Sequence, residues 1–259
     1  MSESTEQNAA PDDDHWEIYV TYVDEKPAVI LVDIGVAQAA PIEGLSKLVW
    51  VWVQIQSPDE EGFPSEDEDF KLNEIEDVVT DSTVSDGVRY AGRITSDGRR
   101  EFYFYTDNPE RFQESASTAM QSVPEYHFEI DNADDEEWRH YFDVLYPSPE
   151  DFQQIHNQHV ITRLQQAGDS LTPPRPVDHF ANFKSEEDRG SFIIAAGTVG
   201  FEAVSRPDRD TSVDFPFSVG LLRVDSVDPD TIDQITFELF ELARQYNGEY
   251  EGWGSKVVK

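Results

Sequence analysis

The most specific stretch of the chain is Tyr246-Asn247-Gly248-Glu249-Tyr250-Glu251-Gly252-Trp253-Gly254. It follows a strong helix pattern that begins at Asp228-Pro229, because Asp is a good N-cap and Pro tolerates the first helical position. Four apolar residues then recur at helical spacing: Ile232, Ile235, Leu239 and Leu242. Asn247-Gly248 predicts the end of the helix, with Gly248 in the left-handed conformation that glycine adopts easily.

The residues after this helix predict a final strand. Tyr, Trp and Val between Glu249 and Val258 favour a strand, and Gly252 and Gly254 indicate a bulge or a close backbone approach. Two interpretations of Trp253 remain open. It anchors the strand over the last helix, or it is a surface aromatic at a partner interface, where Trp and Tyr are enriched.

The composition limits the classes of function. The chain has 259 residues, enough for one large domain or two ordinary ones, and no cysteine. The absence of cysteine excludes disulfides, thiolate metal sites and a cysteine nucleophile. The 54 acidic residues outnumber the 19 basic ones, which gives a formal net charge of −35.

This charge predicts the kind of partner. A strongly acidic surface repels nucleic acid, whose binding depends on Lys and Arg neutralising phosphates, and it repels anionic membranes. It attracts a basic protein and speeds that encounter in a salt-dependent way. The alternative is that the acidity only maintains solubility or reflects a salt-adapted organism.

Residues 1–14 are polar and predict a disordered acidic tail. Their lack of a basic segment followed by an apolar one argues against a signal peptide, and no apolar run approaches the length of a membrane span. We therefore expect a cytoplasmic protein without direct contact to membrane or nucleic acid, and a monomer is favoured.

The pattern of elements predicts an α+β protein of two domains. In residues 149–259, a helix from Phe152 to Ala167 links the domains or begins the second one, and the order after it is strand, helix, strand, strand, helix, strand, which is the ferredoxin-like order. Within residues 15–148, the part from Leu48 to Ile130 reads in the same order and follows an additional hairpin. This predicts a related α+β sandwich, with one helix that directs Phe70, Leu72, Ile75 and Val79 inward.

No motif for catalysis, cofactor binding or metal binding stands out. The chain lacks a phosphate loop, a dinucleotide fingerprint and a nucleophile elbow. His156 and His159 share a polar helix but have no third ligand at a recognisable spacing. Asp178 and His179 could form a catalytic pair, but no nucleophile accompanies them. We therefore expect a non-enzymatic protein with no catalytic, cofactor or metal residues.

The second half resembles the regulator of ribonuclease activity B family. The resemblance rests on Arg175-Pro176-Val177-Asp178-His179-Phe180, on Gly200-Phe201 and on the tail quoted above, and it covers Phe152 to Lys259. The family ends in a Gly-Glu-Tyr-Asp-Gly-Trp signature, and this chain has Glu251 where Asp is usual.

The first half resembles the uncharacterised domain family 695. The residues that carry this resemblance are Asp97-Gly98-Arg99-Arg100-Glu101-Phe102-Tyr103-Phe104-Tyr105 and Trp138-Arg139-His140-Tyr141-Phe142. The two families are known to occur fused in one chain.

The resemblance of the second half implies a ferredoxin-like domain that binds and inhibits an endoribonuclease of the RNase E type, with no catalytic residues. The chain is then a regulatory protein that contacts a basic partner through an acidic surface. The candidate interface consists of Asp178, Glu249, Tyr250, Glu251 and Trp253, chosen from side-chain type and position. The rivals are an immunity-type protein that neutralises a basic nuclease toxin, and an enzyme with an unrecognised carboxylate site.

Overall fold

The computed structural model describes residues 15–85, 87–210 and 212–259. The predicted disordered tail, residues 1–14, lies outside the described residues. The chain divides into two compact units, one that reaches Pro147 and one that begins at Ser148. Each unit combines one antiparallel sheet with helices, so the predicted α+β class with two domains is confirmed.

The first unit contains a six-stranded antiparallel sheet with the order β1-β2-β4-β5-β3-β6. The predicted hairpin is β1–β2, which lies beside β4 at one edge. Its elements are β1 (Trp16–Val23), β2 (Lys26–Asp33), β3 (Lys47–Gln54), α1 (Glu66–Thr83), β4 (Val88–Ser96), β5 (Arg99–Thr106), α2 (Pro109–Met120) and β6 (Phe128–Asp134).

Helices α1 and α2 cover one face of this sheet. Leu72, Ile75 and Val79 of α1 pack with β3, β5 and α2 in one buried cluster. Phe70 does not point inward as predicted; its side chain is 68% exposed. Because an α-helix turns by about 100° per residue, Phe70 lies about 200° from Leu72 and therefore on the outer side.

A polar network joins α1 to the sheet. The Arg100 side chain is 3% exposed and donates to Thr95, to Asn73 Oδ1 at 2.9 Å and to Asp69. Arg93 pairs with Glu76 and also donates to Asn73. A buried guanidinium needs such partners, because an unpaired charge is costly to remove from water. Arg100 is therefore part of the core of the fold, whereas Arg99 is exposed.

The opposite face of the first sheet is covered by an aromatic segment, residues 138–146. The ring of Trp138 stacks on Tyr105 at 3.8 Å between centroids, and its Nε1–H donates to the carbonyl of Leu45 at 2.8 Å. Tyr141 begins a short π-helix (Tyr141–Leu145), and its hydroxyl donates to the carbonyl of Asp33 at 2.8 Å. Each buried aromatic therefore has a partner for its polar atom, as such residues require.

The second unit contains a four-stranded antiparallel sheet with the order β10-β7-β9-β8. Counted along the chain from β7, this order is 4-1-3-2, and strands β3 to β6 of the first sheet have the same order. The ferredoxin-like assignment itself stays a prediction. The elements are α3 (Pro149–Gln166), β7 (Arg175–Phe183), α4 (Glu186–Thr198), β8 (Glu202–Val204), β9 (Phe217–Asp225), α5 (Pro229–Gln245) and β10 (Gly248–Ser255).

The end of α5 differs from the prediction at one residue. Asn247, with φ of 52°, takes the left-handed conformation predicted for Gly248. Asn tolerates this conformation because its short polar side chain can bond locally. Glycine is needed at position 248 for space, since an added Cβ would lie 2.3 Å from Cε1 of Phe183.

Candidate functional site

Strand β7 directs alternate side chains to the two faces of the second sheet, as a pleated strand must. Val177, His179 and Ala181 lie on the face covered by α3, α4 and α5 and are buried. Asp178 and Phe180 lie on the opposite face, which we call the open face. Asp178 and His179 therefore cannot act together, and the catalytic pair considered from the sequence is excluded.

His179 is a buried structural residue. Its ring is fully buried, its Nδ1 lies 2.8 Å from the hydroxyl of Tyr250, and Phe201 contacts it edge-on at 5.4 Å between centroids. Burial, together with the charge of Arg223, lowers the pKa of His179 to about 3. The imidazole is therefore neutral near neutral pH.

The two aromatic residues of the predicted interface are core residues. Tyr250 is 8% exposed and Trp253 is 7% exposed. Trp253 packs with Ile161 and Leu164 of α3, and its Nε1–H donates to Oδ1 of Asn157 at 2.9 Å. These contacts favour the anchor interpretation of Trp253 over the surface interpretation. Both residues hold β10 in place. The neighbouring residues Glu249 and Glu251 lie on the open face.

Glu249 and Glu251 lie together on the open face because β10 contains the predicted bulge. The register with β7 shifts between Tyr250 and Gly252, so Glu251 is the extra residue. The amide of Asn182 donates to Glu251 at 3.3 Å and lies 3.5 Å from Glu249. The tail thus presents two carboxylates side by side on β10, an edge strand of the sheet.

Two arginines already neutralise this pair of carboxylates. Arg206 pairs with Glu251, and Arg209 lies 2.9 Å from Glu249 and 3.3 Å from Glu251. Both arginines belong to the loop between β8 and β9, which crosses this part of the open face. The hydrogen bond from Arg206 lowers the pKa of Glu251, so this glutamate is ionised at neutral pH. Arg206 also places its guanidinium 4.7 Å from the ring centroid of Phe180.

Asp178 is different from the two glutamates. It is exposed on the open face, and within the described ranges it has no ion pair. In the register of the sheet it lies between Gly254 of β10 and Leu222 of β9. Of the five residues predicted as an interface, three acids thus share one face of the sheet and the two aromatics lie on the other.

Sequence reasoning missed Phe180, Asn182, Arg206 and Arg209. The alternation along β7 is a signal that could have placed Phe180 and Asn182 on the face opposite His179. For the arginines no such signal exists, because about forty residues separate them from the glutamates that they pair with.

The part of the chain that the structure describes holds no group of three or more His, Cys, Asp or Glu side chains arranged to bind a metal ion. His156 and His159 are both exposed on α3. In the same described ranges, none of the helices combines the length and apolar character needed to span a bilayer.

Comparison with known proteins gives family matches and weak structural ones. No curated protein matches the chain. One solved structure, an unknown protein from Galdieria sulphuraria, has 10% identity and a TM-score of 0.23 over 82% of this chain and 99% of its own. Another, a putative glycine cleavage system transcriptional repressor, has 12% identity and a TM-score of 0.21 over 82% of this chain and 98% of its own. At these TM-scores neither likeness supports a structural conclusion.

Two family models match the two parts of the chain. The model of a family of unknown function, DUF695, matches residues 14–146, which is just over half of the chain. The model described as regulator of ribonuclease activity B, RraB, matches residues 154–255. Both resemblances inferred from the sequence are therefore confirmed. The chain belongs to the DUF695 family and carries an RraB domain in its second half.

Proposed function

We propose that this protein is a non-enzymatic regulator that lowers the activity of an RNase E-type endoribonuclease by binding the enzyme. The observation that carries the proposal is the match of residues 154–255 to the regulator of ribonuclease activity B. The matched segment includes all four strands of the second sheet and therefore its open face.

The charge of the chain supports contact with the enzyme over contact with its RNA. A net charge of −35 repels the phosphate backbone, whereas it attracts a basic protein surface. An acidic regulator therefore competes with RNA for the same basic surface of the enzyme. This predicts inhibition that raises the apparent KM for RNA.

The test is an RNA cleavage assay with an RNase E-type endoribonuclease and the full chain. We expect the rate to fall as the chain is added, and the inhibition to weaken when salt is raised, because ions screen the attraction. An unrelated acidic protein of similar net charge serves as the control and should inhibit much less. Equal inhibition by that control would show a nonspecific charge effect, and no inhibition at low salt would reject the proposal.

A further inference from the structure

The open face of the second sheet has a row of residues that no contact within the unit explains. Across β10, β7, β9 and β8, the register places Gly254, Asp178, Leu222 and Glu202 side by side. Asp178 and Glu202 are both exposed, and neither has an ion pair among the described residues. An apolar residue thus stands between two free carboxylates.

Glycine in this row leaves open space beside Asp178. A Cβ added at Gly254 would meet no atom within 4 Å, and the backbone there does not have the positive φ that favours glycine. Packing and backbone conformation therefore do not require glycine at this position. A glycine within a strand is also found where another backbone approaches closely. Gly254 thus leaves room for a backbone from outside the unit to lie against the row.

The surface next to the row is apolar. Val224 is 63% exposed and Val204 is 44% exposed, and Leu222 is half-buried between them on the same face. Apolar side chains with a rim of charges are typical of a protein-binding surface. The rim here is acidic, so its charge complements a basic occupant.

The contacts of one arginine within the chain indicate which cation this face binds. The guanidinium of Arg206 lies over the ring of Phe180 and pairs with Glu251. Phe180 is on the same face of β7 as Asp178, two residues along the strand. A guanidinium is planar and can stack on an aromatic ring while it binds a carboxylate, which a lysine ammonium does less well. The open face is therefore chemically suited to arginine.

We propose that this face is the surface through which the protein binds its partner, and that the occupant is an arginine-bearing basic segment of that partner. Its arginines pair with Asp178 and Glu202, and its backbone and apolar side chains lie against Gly254, Leu222 and Val224. The inference rests on the proposed function for the nature of the partner, but its chemistry is testable without the ribonuclease.

The test measures binding of a labelled peptide rich in arginine and leucine to the full chain at low salt. Gly254→Leu fills the open space and should abolish binding without lowering Tm. Gly190→Leu is the matched control, because a Cβ at Gly190 on α4 also meets no atom within 4 Å, and it should bind like the unchanged chain.

A second pair of variants tests the carboxylates. The double change Asp178→Asn and Glu202→Gln should weaken binding about tenfold, as expected for two exposed ion pairs. The control removes two exposed acids from the helices by Glu187→Gln and Glu238→Gln, with the same change in net charge. A peptide with lysine in place of arginine should bind more weakly to the unchanged chain.

Either of two results would overturn the inference. One is equal peptide affinity for the Gly254→Leu and Gly190→Leu variants. The other is a chain that light scattering shows to be a dimer and that Gly254→Leu converts to a monomer, because a second copy then occupies the face.

If the ribonuclease is inhibited equally by both glycine variants, the proposed function stands and this surface is wrong. If peptide binding behaves as expected but no ribonuclease is inhibited, the surface stands and the proposed function is wrong.

Discussion

At the scale of single residues, two glycines of the tail provide opposite tests of packing. A Cβ at Gly248 would lie 2.3 Å from Cε1 of Phe183 and 2.8 Å from the carbonyl oxygen of Asn182, whereas one at Gly254 would meet nothing. Gly248→Ala should therefore lower the free energy of unfolding by about 1–3 kcal/mol, the usual cost of overpacking. Gly254→Ala is the control. Equal urea unfolding midpoints for the two variants would contradict this account of Gly248.

His179 makes stability depend on pH. Burial lowers its pKa from 6.5 to about 3. Below pH 6.5, the unfolded chain therefore binds a proton at His179 that the folded chain does not bind. Stability is fully present above pH 6.5 and falls with decreasing pH, by up to about 1.4 kcal/mol per pH unit. In His179→Gln, which can still bond Tyr250, the fall between pH 6.5 and about 4.5 should be smaller. Asp169 does not interfere, because pairing with Arg175 holds its pKa at about 2.

Urea unfolding at several pH values measures this difference. The two curves of unfolding free energy against pH should run parallel above pH 6.5 and diverge below it, with the unchanged chain falling faster. Parallel curves over the whole range would show that His179 is not held neutral in the fold.

At the scale of elements, local signals predicted most helices and strands, and contacts between distant residues were not predicted. The predicted N-cap Asp228 is confirmed, because its side chain accepts a hydrogen bond from the backbone N–H of Thr231. These signals lie within a few residues of the element that they start. The arginine pairs on the open face depend on how the loop between β8 and β9 crosses the second sheet. The periodic pattern of the sequence does not predict the path of that loop.

The same distinction applies to single residues within elements. Phe70 was assigned inward from its apolar character, although its helical angle puts it opposite Leu72. Tyr250 and Trp253 are candidate interface residues because of side-chain type and position, and the sequence leaves an anchor role for Trp253 also open. Trp253 is buried against α3, and Tyr250 is buried in the cluster formed with α4 and α5. The sequence of the tail does not reveal either contact.

One buried side chain of helix α3 forms hydrogen bonds with both α5 and β10. Asn157 is fully buried, accepts from Trp253 at 2.9 Å and donates to Asp233 at 2.8 Å and to Thr236 at 2.6 Å. Asn157→Leu would remove all three hydrogen bonds and leave the buried Nε1–H of Trp253 without its acceptor, and an unsatisfied buried group costs about 1–3 kcal/mol. We expect a loss of about 3 kcal/mol or more in unfolding free energy.

The neighbouring residue provides the control for this prediction. Gln158 is exposed on the same helix, and Gln158→Leu should change stability by no more than about 0.5 kcal/mol. Calorimetry of the full chain measures both variants. A small effect of Asn157→Leu would mean that apolar packing alone holds α3 on α5 and β10.

At the scale of the whole molecule, the chain repeats one strand order in two units of different sequence. The order β6-β3-β5-β4 of the first sheet matches β10-β7-β9-β8 of the second. In the first unit the face opposite α1 and α2 is covered by the aromatic segment, residues 138–146. In the second unit the corresponding face carries exposed Val224 and the free carboxylates of Asp178 and Glu202. The two units share this strand order, and these exposed groups lie in the RraB domain.

The net charge of −35 predicts opposite effects of salt on stability and on binding. At low ionic strength the acidic residues repel one another over a Debye length of about 30 Å, and at 1 M salt this length falls to about 3 Å. Screening therefore relieves self-repulsion in the folded chain, and Tm should rise with NaCl, while affinity for a basic partner should fall. Loss of inhibition at high salt then cannot result from unfolding.

KCl at equal ionic strength should act like NaCl, because screening depends on charge and concentration. A Tm that is constant or falls as salt is added would show that local ion pairs, such as those of Arg206 and Arg209, outweigh the long-range repulsion.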